Sequence, residues 1–206
     1  APGTVFVSHA HSDHATAAAR ILCTPETAAL HAHRRGARET LALPYDAPAA
    51  VGDAEVTLLP AGHALGSAMI VVASADGRLA YTGDYKLRPN PFSPPVRIPQ
   101  VDELVMECTF GDPRYRFPPD AELWARLLDE VAATLAEGAV PVLLVYALGK
   151  AQEALWHLTG AGHRCMLHGA IASLCTLHET LGHPFPGPGG WTRYVRGAVE
   201  GHVLLT

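Results

Sequence analysis

The sequence predicts an α/β protein whose first half is rich in strands and whose second half alternates helices with strands. In the first half, short runs of β-branched and aromatic residues are separated by tight turns. In the second half, apolar residues at helical spacing alternate with apolar runs, as in a parallel sheet covered by helices. The chain has 206 residues, 49% of them hydrophobic, which is enough to bury a core. The change of pattern after Gly111 predicts two domains, residues 1–110 and residues 111–206.

Each element of the first half has its own signal. Strands are predicted at residues 4–8, 55–59, 69–73, 78–82 and 104–107. Thr24 followed by Pro25 predicts a helix towards Gly36, because proline is favoured at the first helical position. A second helix is expected to begin at Asp13. Asp76-Gly77 predicts a two-residue hairpin turn, and the prolines between residues 88 and 99 predict an irregular connector.

The second half reads as an α/β unit. Helices are predicted at residues 120–138, 149–159 and 170–181, and strands at residues 140–146, 165–167 and 202–205. The strand at 140–146 is fully apolar, and a loop rich in proline and glycine is expected at residues 184–190.

Composition excludes several classes of protein. A net charge of −5 argues against a polycation that holds nucleic acid by charge alone. The four cysteines form no CxxC pair, which favours a reducing, cytoplasmic setting over a disulfide framework. The longest apolar run is too short to cross a membrane. The unusual feature is the presence of 12 histidines, since histidine is the commonest metal ligand.

Four ligand-type side chains follow the first predicted strand within six residues: His9, His11, Asp13 and His14. In extended backbone, side chains two residues apart point the same way, so His9 and His11 can bind one cation. Asp13 and His14 can then serve a second cation beside it. Imidazole and carboxylate together suit zinc or a similar divalent ion.

Two later residues extend the set. His63 lies between Gly62 and Gly66 at the end of a strand, and Asp84 closes Tyr81-Thr-Gly-Asp84 at another strand end. Each alone also fits an ordinary turn residue. Read with the first cluster, they predict a five- or six-ligand metal site at strand ends.

The H-x-H-x-D-H, Ala-Gly-His and Thr-Gly-Asp motifs resemble those of the metallo-β-lactamase αββα fold. The resemblance implies two divalent ions, zinc or alternatively manganese. His9, His11 and His63 would bind one ion, Asp13 and His14 the second, and Asp84 would bridge both. Asp13 and Asp84 would then be catalytic, with Asp13 orienting the attacking water.

Glu107-Cys-Thr-Phe-Gly111 and Tyr146-Ala-Leu-Gly-Lys-Ala-Gln-Glu153 resemble motifs of the β-CASP nucleases, whose α/β domain is an insertion in this fold. Together with Thr82-Gly-Asp-Tyr-Lys86, they are most similar to the bacterial ligase-associated DNA exonucleases. This resemblance implies a DNA exonuclease in DNA repair, functionally linked to a DNA ligase and a helicase. Glu107 would be a further catalytic residue that orients a histidine of the family.

The family's Ser-x-His-x-Asp motif does not occur, and residue 1 is alanine. His168-Gly169 has the letters of the family's later metal-binding His-Gly, but it lies too early in the chain and opens a predicted helix, so we expect it to be structural. We therefore expect a chain truncated at both ends, with both domains incomplete. If it is complete, the second metal lacks one ligand.

Three alternatives remain open. One is an RNA 3′-end-processing nuclease of the same branch, and another is a non-catalytic nucleic-acid-binding subunit. The third is a small-molecule metallo-hydrolase. The segment from Glu107 to Glu153, which resembles the β-CASP insertion, argues against it.

Substrate contacts are expected from three cationic residues. Arg114 and Arg116 flank Tyr115 and suit a nucleic-acid strand, although a polar covering loop fits equally well. Lys150 begins a predicted helix and suits a phosphate or a solvated helix start. His31 and His33, near the end of the first helix, are expected on a solvated face.

Overall fold

The computed structural model describes residues 3–187 and 190–206. Pro188 and Gly189, which belong to the predicted 184–190 loop, lie outside the described residues. The chain separates into two compact units, the first ending at Asp112 and the second beginning at Pro113. Helices and several sheets are present, which confirms the α/β fold class. In the described part of the chain, no helix is both long and apolar enough to cross a membrane.

The first unit contains two sheets and a helix. Its elements are β1 (Thr4–Phe6), β2 (Arg20–Cys23), α1 (Pro25–Arg35), β3 (Glu39–Ala42), β4 (Ala49–Val51), β5 (Ala54–Pro60), β6 (Ala68–Ser74), β7 (Gly77–Tyr81) and β8 (Glu103–Val105). The first sheet is parallel, with the order β1-β2-β3. The second has the order β4-β5-β6-β7-β8 and is antiparallel except for the β7–β8 pair.

Strand β2 shows how the layers pack. Its side chains alternate between the two faces of the sheet. Leu22 joins a core that includes Leu58 and Ile70 of the second sheet. Ile21 and Cys23 face the other way and belong to a cluster against which Ala28 of α1 packs. The first unit therefore has helix, sheet and sheet layers, and a parallel strand buried on both faces reads as a continuous apolar run.

Helix α1 begins as its sequence predicts. Thr24 is the N-cap, its hydroxyl accepts a hydrogen bond from the Thr27 amide at 3.2 Å, and Pro25 opens the helix. The prediction of a second helix from Asp13 is wrong. The chain forms only a turn there, in which the amides of His14 and Ala15 donate to the His11 carbonyl.

The second unit is a parallel α/β layer structure. Its elements are α2 (Asp120–Ala136), β9 (Val142–Leu143), α3 (Lys150–Gly160), β10 (Cys165–Leu167), α4 (Gly169–Thr180), β11 (Trp191–Arg193) and β12 (Val203–Leu205). The strands are all parallel, in the order β11-β10-β12-β9. Leu155 of α3, Leu167 of β10 and Ile171 of α4 are among the residues of one buried core.

Strand β9 is shorter and more exposed than predicted. Only Val142 and Leu143 pair with β12, whereas Leu144 and Tyr146 are each 82% exposed. β9 lies at the edge of the sheet that the described residues form. The pairing continues past Leu143 only through the Val145 amide, which donates to the Thr206 carbonyl at 2.9 Å.

Candidate metal centre

The first ligand segment leaves the end of β1 in a fixed position. The Val7 amide donates to the Leu22 carbonyl at 2.9 Å, which prolongs the pairing of β1 with β2. The Ala68 amide then donates to the Ser8 carbonyl at 2.8 Å, which ties the segment to the start of β6. His9 follows and is fully buried. The His-rich segment therefore begins where the two sheets of the first unit are hydrogen-bonded to each other.

Four predicted ligands converge in the first unit: His9, His11, His63 and Asp84. One ligand atom from each residue lies within 4.8 Å of the others. The His11 Nδ1 atom lies 2.9 Å from His9 Nε2 and 3.3 Å from His63 Nε2. The Asp84 Oδ2 atom lies 3.7 Å from His9 Nε2 and 3.8 Å from His63 Nε2.

These distances fit one small divalent ion. A tetrahedral zinc ion with ligands at about 2.0–2.2 Å keeps neighbouring ligand atoms ~3.3 Å apart. The four separations, from 2.9 to 3.8 Å, bracket that value. Three imidazoles and one carboxylate are also a donor set that zinc accepts. The residues present therefore fit the expected metal.

The other oxygen of Asp84 faces a second donor group. Asp84 Oδ1 lies 3.3 Å from His14 Nε2, and Asp13 Oδ2 lies 3.8 Å from the same nitrogen. The Asp13 side chain is 77% exposed, whereas that of His14 is 21% exposed. A single carboxylate thus has one oxygen towards His9 and His63 and the other towards His14.

Ser8 lies behind two of the rings. Its hydroxyl is 3.0 Å from His9 Nδ1 and 3.2 Å from His14 Nδ1. A hydroxyl oxygen has two lone pairs, so it can accept from both rings when each carries a proton on Nδ1. The Nε2 lone pairs of His9 and His14 then both point towards Asp84. Hydrogen bonds of this kind orient histidine ligands in metal sites.

Gly83 makes room for this arrangement. A Cβ at residue 83 would lie 2.4 Å from the Ser8 Cβ, and the backbone has φ of +53°. Both observations require glycine immediately before Asp84.

His63 is held through its backbone on both sides. Its amide donates to Ser67 Oγ at 3.0 Å, and its carbonyl accepts from Asn90 Nδ2 at 2.9 Å. Gly62, beside it, has φ of +74°, and a Cβ there would lie 2.4 Å from the Lys86 carbonyl oxygen. The small residue therefore allows close backbone packing against Lys86, whereas the sequence had suggested close approach to the ligand site. The proline-rich connector contributes Asn90 to the support of His63.

Electrostatics favour neutral imidazole at the centre of the cluster. Burial, followed by the neighbouring histidines His11, His63 and His14, lowers the pKa of His9 to about 2. A neutral ring keeps the lone pair that a metal ligand needs.

Glu107 is half-buried in the same unit. Partial burial alone raises the pKa of its carboxyl group, but hydrogen bonds from Thr109 and Tyr85 and the nearby His63 outweigh burial, so the pKa is lowered. The Thr109 amide donates to Glu107 Oε2 at 2.9 Å. Glu107 is therefore held ionised as an acceptor.

The three predicted substrate-binding residues lie in the second unit. The Lys150 ammonium group is 3.2 Å from the buried Glu153 carboxylate. The Arg114 guanidinium lies 5.1 Å from the centre of the Tyr115 ring. Arg116 is exposed.

Sequence reasoning missed the residues that support the ligands, which include Ser8, Ser67 and Asn90. It was also wrong about His31, which is 1% exposed rather than on a solvated face. Its Nε2 atom is 3.2 Å from the Thr16 carbonyl oxygen, so the ring packs under the loop that carries the first ligands.

Comparison with known proteins identifies relatives named as a probable DNA ligase, an endoribonuclease and a transcription termination factor. A probable DNA ligase of Opitutus terrae is 39% identical over 203 residues, covering 97% of this chain and 20% of that protein. Endoribonuclease ysh1 of Aspergillus fumigatus is 35% identical over 108 residues, covering 51% of this chain and 12% of that protein. Transcription termination factor FttA of Lokiarchaeum sp. is 36% identical over 107 residues, covering 50% of this chain and 17% of that protein. The chain thus spans no more than a fifth of the length of these curated relatives.

A solved structure supports the fold. The crystal structure of a protein of unknown function from Enterococcus faecalis V583 matches with a TM-score of 0.67 at 17% identity, over 98% of this chain and 58% of that one. No family model matches the chain. The sequence motifs, the layered fold and these relatives together show that the chain belongs to the β-CASP family of the metallo-β-lactamase fold.

Proposed function

We propose that this chain carries the metal centre of a phosphodiester hydrolase that acts as a DNA exonuclease. The observation behind the proposal is the division of Asp84 between two donor groups. Its Oδ2 atom faces His9 and His63, and its Oδ1 atom faces His14. A shared carboxylate of this kind suits two adjacent cations, an arrangement used in hydrolysis of phosphate esters.

Each residue has a defined task in the proposed site. The first ion would be held by His9, His11, His63 and Asp84, and the second by His14, Asp13 and Asp84. Divalent ions bound there would polarise a phosphoryl oxygen and lower the pKa of water. Asp13, the most exposed of these side chains, would orient that water and accept its proton. The ionised Glu107 would accept a hydrogen bond from the histidine of the family's Ser-x-His-x-Asp motif.

We favour DNA over RNA as the substrate because the chain matches the DNA ligase relative over more of its length than it matches the endoribonuclease. The relative named as a probable DNA ligase matches over 203 residues, so the match includes both units. The match to the endoribonuclease covers 108 residues at a slightly lower identity. RNA remains the second candidate substrate because of that relative.

The name of the same relative supports a proposed functional link to DNA ligation. A ligase joins a 3′-hydroxyl to a 5′-phosphate, and hydrolysis that expels the 3′-oxygen leaves those two ends. The chain would then prepare DNA ends for sealing. The helicase link stays a prediction from the family resemblance, because no relative named above carries that description.

Arg114 and Arg116 are the proposed phosphate contacts of the second unit. Both lie beside aromatic residues, an arrangement that suits stacking and neutralisation of a single strand. Lys150 is a weaker candidate, because its ammonium group already pairs with Glu153.

The test combines metal content with cleavage of matched substrates. The full-length protein would be stripped of metal, titrated with zinc or manganese, and incubated with end-labelled DNA and RNA of the same sequence. We expect two equivalents of metal and release of nucleotides from DNA in preference to RNA. Asp84→Asn keeps the size of the side chain but removes its charge, and should lower both metal occupancy and cleavage at least 100-fold.

Asp76→Asn is the matched control, because the same change is made on an exposed turn residue. Cleavage of RNA alone would support the second candidate substrate. Cleavage that survives Asp84→Asn, or a wild-type full-length protein that binds both metals and cleaves neither polymer, would contradict the proposal.

A further inference from the structure

Three backbone carbonyl groups in the loop that carries the first ligands, residues 9–16, contact side chains of helix α1. Arg34 donates from a terminal guanidinium nitrogen to the Ala10 carbonyl. Arg35 donates to the Ser12 carbonyl at 3.1 Å, and His31 Nε2 lies 3.2 Å from the Thr16 carbonyl. These three α1 residues have the spacing i, i+3 and i+4, so they lie on one face of the helix. We call this group the α1 clamp.

The clamp differs from an ordinary helix end. Basic residues in a last turn usually interact with the final carbonyls of their own helix. In α1 the Gly36 amide donates to the Ala32 carbonyl, and Arg34 and Arg35 reach across to another segment.

Arg34 has the most direct connection to the ligands. Ala10 is 1% exposed and separates His9 from His11. Its carbonyl belongs to the planar peptide unit that also contains the His11 amide. A hydrogen bond on that oxygen therefore fixes the orientation of the peptide between two ligands whose ring nitrogens are 2.9 Å apart.

We propose that Arg34 is a positioning residue that holds His9 and His11 in their metal-binding geometry. The proposal rests on the metal centre proposed above and adds a residue 24 positions along the chain from the carbonyl that it holds. Arginine suits the task, because its planar guanidinium fixes the direction of its hydrogen bonds and stays charged.

The test uses three variants and cobalt as a spectroscopic probe. Arg34→Met keeps an unbranched side chain without donors, Arg34→Lys keeps the charge, and Arg38→Met is the control. Arg38 donates to the neighbouring Ala37 carbonyl, outside the ligand loop. We expect Arg34→Met to bind cobalt 10–100-fold more weakly and with an altered visible spectrum, and Arg34→Lys to recover part of the affinity.

A second measurement follows the loop without metal. Hydrogen exchange of the His14 and Ala15 amides, which donate to the His11 carbonyl, should quicken in Arg34→Met and not in Arg38→Met. Cobalt affinity of Arg34→Met within twofold of wild type would overturn the role of Arg34 alone. An equal loss in Arg38→Met would do the same. A wild-type chain that takes up no cobalt would overturn the metal centre itself, and this inference with it.

Discussion

Ser8→Ala tests whether the Ser8 hydroxyl, which contacts the Nδ1 atoms of His9 and His14, orients both rings for metal binding. The substitution removes one oxygen that lies 3.0 Å from His9 Nδ1 and 3.2 Å from His14 Nδ1. Each hydrogen bond contributes about 1 kcal/mol net. If both act fully only in the metal-bound state, affinity falls by about 2 kcal/mol, or roughly 30-fold.

The true loss should lie at or below that limit, because the metal-free protein already has both contacts. We expect dissociation constants for zinc or cobalt to rise about 10–30-fold, within the range measured for residues that orient metal ligands. The thermal midpoint of the metal-free protein should also fall by roughly 5 °C, because the buried His9 Nδ1 loses its partner.

Competition with a chelator of known affinity measures the first effect, and circular dichroism the second. Ser93→Ala is the control, since its hydroxyl donates to the Pro94 carbonyl on an exposed part of the connector. An unchanged metal affinity together with a lowered thermal midpoint would refute the reasoning and leave Ser8 as a packing residue. An equal loss of affinity in Ser93→Ala would refute it too.

Two further predictions follow from the same unit and from the buried histidines. Asn90→Asp keeps the shape of the side chain but replaces the donor to the His63 carbonyl by a carboxylate oxygen. Metal affinity should therefore fall about tenfold, and the free energy of unfolding by about 1–3 kcal/mol. Cobalt titration measures the first effect and urea unfolding the second, and unchanged values in both would contradict the prediction. The pKa values of His9 and His178 are lowered by burial to about 2 and about 4, so the unfolded chain binds protons below pH 6.5 that the folded chain does not. Stability should therefore fall as pH falls from 6.5 towards 5, by roughly 1 kcal/mol per pH unit for each histidine. Metal-free urea unfolding at each pH measures this slope, and a flat profile would show that these histidines are not held neutral.

Local patterns predicted the elements that have strong local signals. Thr24-Pro25 marked the start of α1, and the apolar run at residues 165–167 marked β10 with the bounds that the structure has. Strands β2, β3, β4 and β11 were not predicted, although β2 contains the apolar run Ile21-Leu22-Cys23. β4 consists of Ala-Ala-Val, which has little intrinsic strand preference, and β11 has only three residues. Such strands exist because neighbours pair with them, which is information that a local window does not contain.

The candidate site shows the same difference between features with a local sequence signal and features that depend on long-range contacts. The residues that converge were visible in the sequence, because imidazole and carboxylate groups at close spacing are rare and chemically specific. Their role as metal ligands stays a prediction. Asn90 and Arg34 were not visible, because one lies 27 residues from the carbonyl that it holds and the other 24 residues. An asparagine in a proline-rich connector and an arginine at a helix end are ordinary residues until the fold places a carbonyl beside them.

Ser8 explains why the site depends on the whole first unit rather than on the His-rich segment alone. Its carbonyl accepts from Ala68 at the start of β6, and its hydroxyl contacts His9 and His14. Its Cβ occupies the space that any side chain at residue 83 would need, directly before Asp84. A displacement of Ser8 therefore reaches two histidines and the shared carboxylate together. The ligands of both proposed ions should consequently be lost together when the two sheets separate, and not one after the other.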